Sequence, residues 1–394
     1  MSLGRGLALN VPRVLTPTCR IATIAFLLVA AGPSGVAAQS VVRDPSRLVK
    51  RGVAGLDTRQ FPAALTAFTE AAAISPHDAS LSVGAGVAAF MLGQHDVAQI
   101  WFERALASNP GSLTASEWLG ELHYRADRVD RAIAVYETAL ERAPLSPAAE
   151  ALRQRLGSWR RETELHTMFA EIRGARAAVR YRGPRDEALA RHVLERLEAA
   201  YAHVGGMLGA YPSQPTSVVL YTREEFEEIT RLPSWTVAAY DGRIRLPLSG
   251  APNAPADPGD PGDDIELDRL LTHELVHAVV ATLAGRNAPV WLNEGLATLL
   301  EPGGSANVEA PLARERTLPS LERLHQSFLE LDTADAQVAY AVSAHAVRRM
   351  TELAGTPAVV GLLGDLGRGV AFDRAFRQRL SIRYDAFQAG LARN

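Results

Sequence analysis

The N-terminal half of the chain repeats one pattern of small, aromatic and proline positions every 34 residues. Five columns recur in three units: Gly52, Gly86 and Gly120; Ala64, Ala98 and Ala132; Phe68, Phe102 and Tyr136; Ala71, Ala105 and Ala139; Pro76, Pro110 and Pro144. Small side chains let two helices pack closely, and the proline ends the second helix of each unit. The pattern therefore predicts three stacked helical hairpins over residues 46–146.

A further helix is predicted after the third unit. Leu152, Leu156 and Trp159 have helical spacing, so residues 147–162 are expected to cover the open face of the last hairpin. The 34-residue unit resembles the tetratricopeptide repeat. The resemblance implies an all-α solenoid over residues 39–162 whose groove binds a peptide or a partner protein. A spacer or a dimerisation element is the alternative role.

From about residue 165 the hydrophobic pattern changes to short apolar runs between polar turns. These runs predict strands at 177–181 and 216–221, helices at about 186–209 and 224–230, and a hairpin that joins 236–240 to 243–246 through Asp241-Gly242. Residues 251–263 contain only Pro, Gly, Ala, Asn and Asp, which predicts a loop. Strands with helices around them make residues 163–394 an expected α+β domain.

A strongly apolar helix is predicted between Asp263 and Gly285, and it carries the sequence His-Glu-Leu-Val-His. Residues four positions apart lie on one face of a helix, one turn above the other. His273 and His277 can therefore bind the same metal ion, while Glu274 reaches a water molecule beside that ion.

A third metal ligand is predicted on the next helix. Catalytic zinc sites usually have three protein ligands and one open position, so two histidines are too few. After a short connection, Pro289 begins a helix that contains Glu294, and the connection forces this helix to pack back against the first. His273, His277 and Glu294 are the candidate metal ligands, and Glu274 is the candidate general base.

The two helices resemble the gluzincin zinc metallopeptidases through His-Glu-Leu-Val-His at 273–277 and Trp-Leu-Asn-Glu-Gly-Leu-Ala at 291–297. Sixteen residues separate His277 from Glu294, which is close to the spacing in those families. The segment from about residue 165 to residue 394 is most similar to bacterial peptidase MA-like domains, which often accompany tetratricopeptide repeats. The resemblance implies a zincin fold, one zinc ion per chain and the hydrolysis of peptide bonds.

The resemblance also implies a residue that stabilises the oxyanion. Gluzincins commonly use a tyrosine or histidine downstream of the third ligand, and Tyr340 is the candidate here, with His345 and His325 as alternatives. The other interpretation of Tyr340 is a core aromatic residue whose hydroxyl is satisfied by the backbone.

Substrate peptides in this clan lie along an edge strand beside the metal, which implies one arm of the 236–247 hairpin. Arg243 and Arg245 would then either contact substrate or remain as solvated charges on the edge. The sequence departs from the family at one position. Several gluzincins have an acidic residue four positions after the third ligand, and this chain has Thr298 there.

Residues 1–38 have the pattern of a secretory signal peptide. Three arginines precede an apolar run from Ile21 to Ala31, and small residues lead to a predicted cleavage after Ala38. An uncleaved membrane anchor is the alternative, but the run is shorter than the ~20 residues of a spanning helix. Cleavage would yield a periplasmic or secreted bacterial protein without a transmembrane segment.

The amino-acid composition restricts the metal ligands and the partners that the protein can have. The chain is 47% hydrophobic and 22% charged, which is typical of globular proteins. Its single cysteine, Cys19, precedes the apolar run, so no lipid anchor is expected and the exported chain must bind metal through histidine and carboxylate. The net charge is −3, and removing three arginines and no acid with residues 1–38 makes it −6. No basic excess indicates a nucleic-acid partner.

Three functions are compatible with this sequence. The first is an exported zinc metallopeptidase whose repeats recruit a substrate or partner; the absence of a Gly-x-Met-x-Asn-like aminopeptidase motif favours an endopeptidase. The second is a scaffold protein that acts through its repeats and has a vestigial or structural zinc site. The third is zinc-dependent hydrolysis of something other than protein, such as a cell-wall peptide. The intact Glu274 favours catalysis, because a structural site needs no general base.

Overall fold

The computed structural model describes residues 44–143, 147–230, 238–247, 261–304, 308, 312, 318–325, 328 and 331–391. The helices are α1 (Ser46–Asp57), α2 (Phe61–Ile74), α3 (Ala79–Met91), α4 (His95–Ser108), α5 (Leu113–Arg125), α6 (Val129–Arg142), α7 (Pro147–His166), α8 (Glu187–Leu208), α9 (Arg223–Thr230), α10 (Pro261–Ala284), α11 (Val290–Leu300), α12 (Thr333–Ala354), α13 (Thr356–Gly367), α14 (Phe372–Leu380) and α15 (Tyr384–Leu391). The strands are β1 (Phe169–Arg173), β2 (Ala177–Arg182), β3 (Thr216–Tyr221), β4 (Ala239–Tyr240) and β5 (Ile244–Pro247).

The described chain divides into two compact units. The first contains the helices up to Arg153, and the second contains Gln154 onwards together with Arg125–Val129. The predicted domain limits, 39–162 and 163–394, remain predictions about independently folding segments. The predicted signal peptide and its cleavage site lie outside the described residues, as do Pro144, residues 236–237 and most of the predicted loop.

In the first unit, a glycine of each hairpin's first helix lies against the aromatic ring of its second helix. The pairs are Gly52 with Phe68, Gly86 with Phe102, and Gly120 with Tyr136. A Cβ atom at Gly86 would lie 2.5 Å from the Phe102 ring, which is closer than carbon atoms approach without displacing each other. The glycine and aromatic columns of the sequence therefore correspond to one repeated helix–helix contact.

The helix predicted after the repeats extends further than the sequence pattern indicates. It was expected over residues 147–162, whereas α7 runs from Pro147 to His166. Leu152, Leu156 and Trp159 are all buried, as their helical spacing predicts. Three of the four added residues are polar, so apolar periodicity gives little signal for this turn.

The second unit contains a five-stranded sheet in the order β1-β2-β3-β5-β4. The three central strands are parallel, and β1 and β4 pair antiparallel at the two edges. Strand β1 was missed because none of its residues is fully buried and its sequence provides neither a continuous apolar run nor a regular alternation. The sheet with its surrounding helices agrees with the expected α+β class.

The two faces of the sheet have different neighbours. Val218, Leu220, Ile244 and Leu246 belong to the large core that includes residues of α8, α10, α11 and α12. Val219 and Tyr221 point the other way and pack with Phe226 and Ile229 of α9. This alternation follows from the two-residue period of a strand, and it determines which side chains of β4 and β5 face α10.

The structure corrects one predicted boundary. Residues 261–263 were assigned to the loop, but α10 begins at Pro261. Proline is favoured in the first turn of a helix, where its missing N–H leaves no hydrogen bond unmade, so this proline marks the start of α10 instead of the end of the loop.

Among the described residues, no helix combines the length and the apolar character that a membrane span requires.

Candidate metal centre

Helix α10 holds the first two candidate ligands in the interior of the second unit. Leu271, Leu275 and Val276 are buried in the large core, which fixes the rotation of the helix about its axis. Gly285 has a φ of 59° and its N–H bonds to the Ala281 carbonyl oxygen, so the helix ends in a left-handed turn that glycine adopts without strain.

Helix α11 returns along α10 directly after this turn. The Pro289 carbonyl oxygen accepts hydrogen bonds from the N–H groups of Leu292 and Asn293 and so starts the helix. At Gly295 the backbone of α11 approaches the Ser343 carbonyl oxygen of α12 so closely that a Cβ atom would clash. The absence of a side chain at Gly295 therefore sets the distance between the helices that carry Glu294 and Tyr340.

The structure brings the three predicted ligands together. His273, His277 and Glu294 are buried, and their candidate ligand atoms all lie within 4.8 Å of one another. His273 Nε2 is 3.5 Å and His277 Nε2 is 3.6 Å from Glu294 Oε2. Two atoms that are each ~2.0–2.2 Å from a tetrahedral ion lie about 3.3–3.6 Å apart, so both distances between histidine and glutamate match those of a metal site.

The polar atoms that face this space also fit a metal ion. Among the described residues, His273 Nε2, His277 Nε2, Glu294 Oε2 and both carboxylate oxygens of Glu274 are buried and have no hydrogen-bond partner. Buried polar atoms are normally paired, and those that are not often belong to functional sites. An ion bound by the triad, with a water molecule beside Glu274, would satisfy all of these atoms.

The electrostatics of the site favour a positive charge at its centre. Three buried carboxylates, Glu274, Glu294 and Glu301, surround the imidazoles, and Arg269 is the buried cation that pairs with Glu301. Burial raises the pKa of Glu274 to about 8, with the carboxylates of Glu294 and Glu301 adding to the effect. Burial opposes protonation of His273, but Glu294 and Glu301 outweigh it and raise its pKa to about 10. A divalent cation would occupy the position where these carboxylates stabilise positive charge.

Glu301 and Arg269 orient His273, and neither residue was predicted from the sequence. His273 Nδ1 is 2.6 Å from Glu301 Oε1, and Arg269 Nη1 donates to Glu301 Oε2 at 3.2 Å. The family resemblance indicates Thr298, one helical turn after Glu294, as the residue that orients His273. Glu301 lies two turns after Glu294, on the same helical face, so an acid at the seventh position was the signal that could have identified it.

The three candidates for oxyanion stabilisation have different environments. Burial raises the pKa of Tyr340 well above its usual value, and the negative charges of Glu294 and Glu274 contribute to this shift. His345 instead lies beside Arg348 Nη2 at 3.2 Å, and His325 beside the Tyr384 hydroxyl at 3.1 Å. Tyr340 is therefore the candidate that lies near the carboxylates of the site, and its ring is buried in the core against Phe328, as the alternative interpretation also expects.

Both interpretations of Arg243 and Arg245 are wrong. The two side chains are neither at a substrate edge nor in solvent, because they are 1% and 0% exposed. Arg245 Nη1 donates to Glu162 Oε1 at 2.7 Å, and Arg245 Nε donates to Asp241 Oδ2 at 3.1 Å. The edge strand is β4, whereas β5 is paired on both sides, so Arg245 points away from α10 into a buried ion-pair network.

Comparison with known proteins concerns the first unit. A family model described as the tetratricopeptide repeat matches residues 49–112 and 101–147. Residues 49–147 are tetratricopeptide repeats. This result confirms the repeat prediction, and such repeats generally form extended surfaces that bind other proteins.

Two solved structures of such repeats are similar to part of the chain. The tetratricopeptide repeat domain of Arabidopsis OM64 is 20% identical, with 29% of this chain and 96% of that chain covered and a TM-score of 0.27. The first such domain of Spaghetti (RPAP3), bound to an HSP90 peptide, is 21% identical, with 30% and 95% covered and a TM-score of 0.27. The search of curated proteins gave no match.

Proposed function

We propose that the second unit is a zinc-dependent metallopeptidase domain of the gluzincin type, similar to bacterial peptidase MA-like domains. The observation that carries this proposal is the buried triad of His273, His277 and Glu294, in which both histidines lie at a distance from Glu294 that suits ligands of one metal ion. The adjoining Glu274 supports a catalytic site rather than a structural one. Its buried carboxylate has no hydrogen-bond partner among the described residues, as expected of a base that waits for a water molecule.

In this proposal each residue has a separate role in hydrolysis. Zinc, when bound, supplies a Lewis acid that lowers the pKa of a water molecule towards ~7. His273, His277 and Glu294 hold the ion, while Glu301 fixes the tautomer and orientation of His273 through Nδ1. Glu274 accepts the proton of the attacking water and returns it to the leaving amine. Tyr340, whose raised pKa keeps its hydroxyl protonated, donates a hydrogen bond to the oxyanion.

The rest of the proposal concerns substrate and location. Peptide bonds are the proposed target, in endopeptidase mode, and the tetratricopeptide repeats recruit a substrate or a partner protein. Residues 1–38 direct export, so that the enzyme works in the periplasm or outside a bacterial cell. Hydrolysis of a cell-wall peptide uses the same residues and is a variant of this proposal.

A scaffold protein is the second candidate function, and the tetratricopeptide repeats favour it. In that case the triad would hold a structural metal ion or none, and binding of a partner by the repeats would be the whole activity. The scaffold requires no proton transfer by Glu274. The two candidates therefore differ in what replacement of that residue does.

One experiment separates them. The chain from residue 39 onwards is purified without chelator, its metal content is measured, and a peptide library is digested with and without 1,10-phenanthroline. The metallopeptidase requires about one zinc ion per chain and chelator-sensitive cleavage. Glu274→Gln should keep the metal and the fold, because the amide is nearly isosteric, but reduce the cleavage rate by ~10²–10⁴. Metal without cleavage supports the scaffold, and full activity of Glu274→Gln would exclude the proposed mechanism.

A further inference from the structure

The short segment Arg125–Val129 connects α5 to α6 in the third repeat, yet it packs with the residues from Gln154 onwards as part of the second unit. Its Asp127 has a φ of 57°, in the left-handed region that aspartate and asparagine tolerate better than most other residues. Such a conformation persists where the surrounding contacts determine it. The contacts of Asp127 therefore show what holds this segment in place.

Asp127 joins two arginines of the sheet. Arg180 of β2 donates to both oxygens of its carboxylate, at 3.1 and 2.7 Å, and Arg243 Nη1 donates to Oδ1 at 2.7 Å. The side chain of Arg243 is 2% exposed, whereas that of Asp127 is 33% exposed. The carboxylate thus brings negative charge from the surface to a buried cation, and its paired bonds with Arg180 fix its orientation.

The backbone of the segment also touches the turn between β4 and β5. A Cβ atom at Gly242 would lie 2.6 Å from the Arg125 carbonyl oxygen, so the two backbones meet where a side chain has no room. The turn itself is closed by the Asp241 N–H, which donates to the Arg243 carbonyl oxygen at 3.1 Å. The segment therefore holds the turn through a charge on Arg243 and a backbone contact at Gly242.

The position of this turn matters for the candidate metal centre. Strand β4, which ends at the turn, contacts α10, the helix that carries His273 and Glu274. It has two residues and lies at the edge of the sheet. Short elements with few partners open at a small cost in free energy unless other contacts fix them. The contacts at the turn therefore set how firmly β4 lies beside α10.

We propose that Arg125–Val129 is a strap through which the third repeat holds the edge strand in place. While the strap is seated, Asp127 stabilises the buried Arg243 and fixes the turn. A change in the α5–α6 hairpin, such as that caused by a bound partner protein, withdraws this support and loosens β4 beside α10. The repeats then regulate the second unit in addition to binding a partner. This device does not require that the triad hold a metal ion.

The first test replaces Asp127 with asparagine, which suits the same backbone conformation but has no charge, in the chain from residue 39 onwards. Hydrogen exchange of residues 238–247, followed by mass spectrometry, should become ~10–100-fold faster, the effect of losing a charge-assisted hydrogen bond to a buried group. Asp130→Asn is the matched control, since Asp130 is an exposed acid in the first turn of α6, and it should leave this exchange unchanged. Equal exchange rates in Asp127→Asn and the wild type would overturn the proposal.

The second test perturbs the third repeat without changing the strap. Gly120→Ala places a Cβ atom 2.2 Å from the Tyr136 ring and pushes α5 away from α6. Gly52→Ala makes the same kind of clash in the first hairpin, 2.8 Å from the Phe68 ring. Repeats act mainly on their neighbours, so Gly120→Ala should speed exchange in residues 238–247 about 10-fold while Gly52→Ala leaves it unchanged. Equal exchange in the two variants would show that the repeat does not act through the strap, and the proposal would fail.

Discussion

Glu301 holds the Nδ1 atom of His273 at 2.6 Å, and the other oxygen of its carboxylate accepts a hydrogen bond from Arg269 at 3.2 Å. The imidazole is thereby oriented with Nε2 towards Glu294. A metal ligand that is held in this way loses little freedom on binding, and an anionic partner makes it more basic. These hydrogen bonds join the middle of α10, which carries Arg269 and His273, to Glu301, the residue that follows α11.

We expect Glu301→Gln to weaken metal binding ~10–100-fold, because the amide removes the negative charge that raises the basicity of His273. Competition with a chromophoric chelator measures this affinity. Thr298→Ala is the control, since Thr298 occupies the position that the family resemblance indicates. A larger loss of affinity in Thr298→Ala than in Glu301→Gln would show that Glu301 is not the orienting residue.

Tyr340→Phe should spare the metal and reduce the rate of peptide cleavage by ~10²–10³, as expected when one donor to an oxyanion is removed. The comparison variant is His345→Ala, because His345 lies on the same helix but beside Arg348 and not at the triad. Steady-state kinetics and metal analysis of both variants test the assignment. Equal rates for Tyr340→Phe and the wild type would remove Tyr340 from the mechanism.

Gly295→Ala should destabilise the second unit by ~1–3 kcal/mol, because the added methyl group meets the Ser343 carbonyl oxygen and forces α11 and α12 apart. Chemical denaturation measures this change. A matched control is Gly206→Ala in α8, where a Cβ atom has nothing within 4 Å. That substitution should be neutral or slightly stabilising, since alanine is the better helix former. Equal stabilities of the two variants would contradict the close approach at Gly295.

His166 should make the protein sensitive to mild acid. Burial is the main cause that lowers the pKa of His166 from 6.5 to about 4, although Glu162 opposes the shift. The neutral ring, which lies 2.8 Å from the Tyr221 hydroxyl, is therefore the form that the fold accommodates. Because the pKa of His166 is lower in the folded than in the unfolded protein, the neutral ring contributes fully to the free energy of unfolding above pH ~6.5. This contribution is lost as the pH falls towards 4.

Protonation of His166 should lower the free energy of unfolding by at most about 3 kcal/mol, since one pKa unit corresponds to about 1.36 kcal/mol. NMR titration of the imidazole and the pH dependence of the unfolding free energy test this prediction, and His166→Gln should show a flatter dependence in that range. An imidazole midpoint near 6.5 would contradict it.

Much of the candidate site was predictable because it lies on helices. The positions of His273, Glu274 and His277 relative to each other follow from 3.6 residues per turn and need no tertiary information. The return of α11 along α10 was also predictable, since Gly285 and Pro289 bound a connection too short for any other path. Glu301 was not predicted because the family pattern indicates the position one helical turn beyond Glu294, whereas the partner of His273 lies two turns beyond it.

In the sheet, the sequence pattern did not predict the strand pairing or the burial of the arginines. The turn at Asp241-Gly242 correctly indicated a hairpin, but a hairpin does not specify which of its arms is paired on both sides. Arg243 and Arg245 were expected at a substrate edge or in solvent, and both are buried next to Glu162 and Asp241. A buried arginine is identified only when its carboxylate partner is known, and Glu162 lies in a helix some eighty positions earlier in the chain.

The sequence by itself determined the 34-residue repeats, the α+β character of the second unit and the spacing of the metal-binding motif. All three depend on local geometry, which residue type and separation along the chain specify. Tertiary structure alone decided that Glu301 and Arg269 support His273 and that Arg245 turns away from α10. Those relationships join elements distant in sequence, and their geometry depends on strand order and on how closely helices approach at positions such as Gly295.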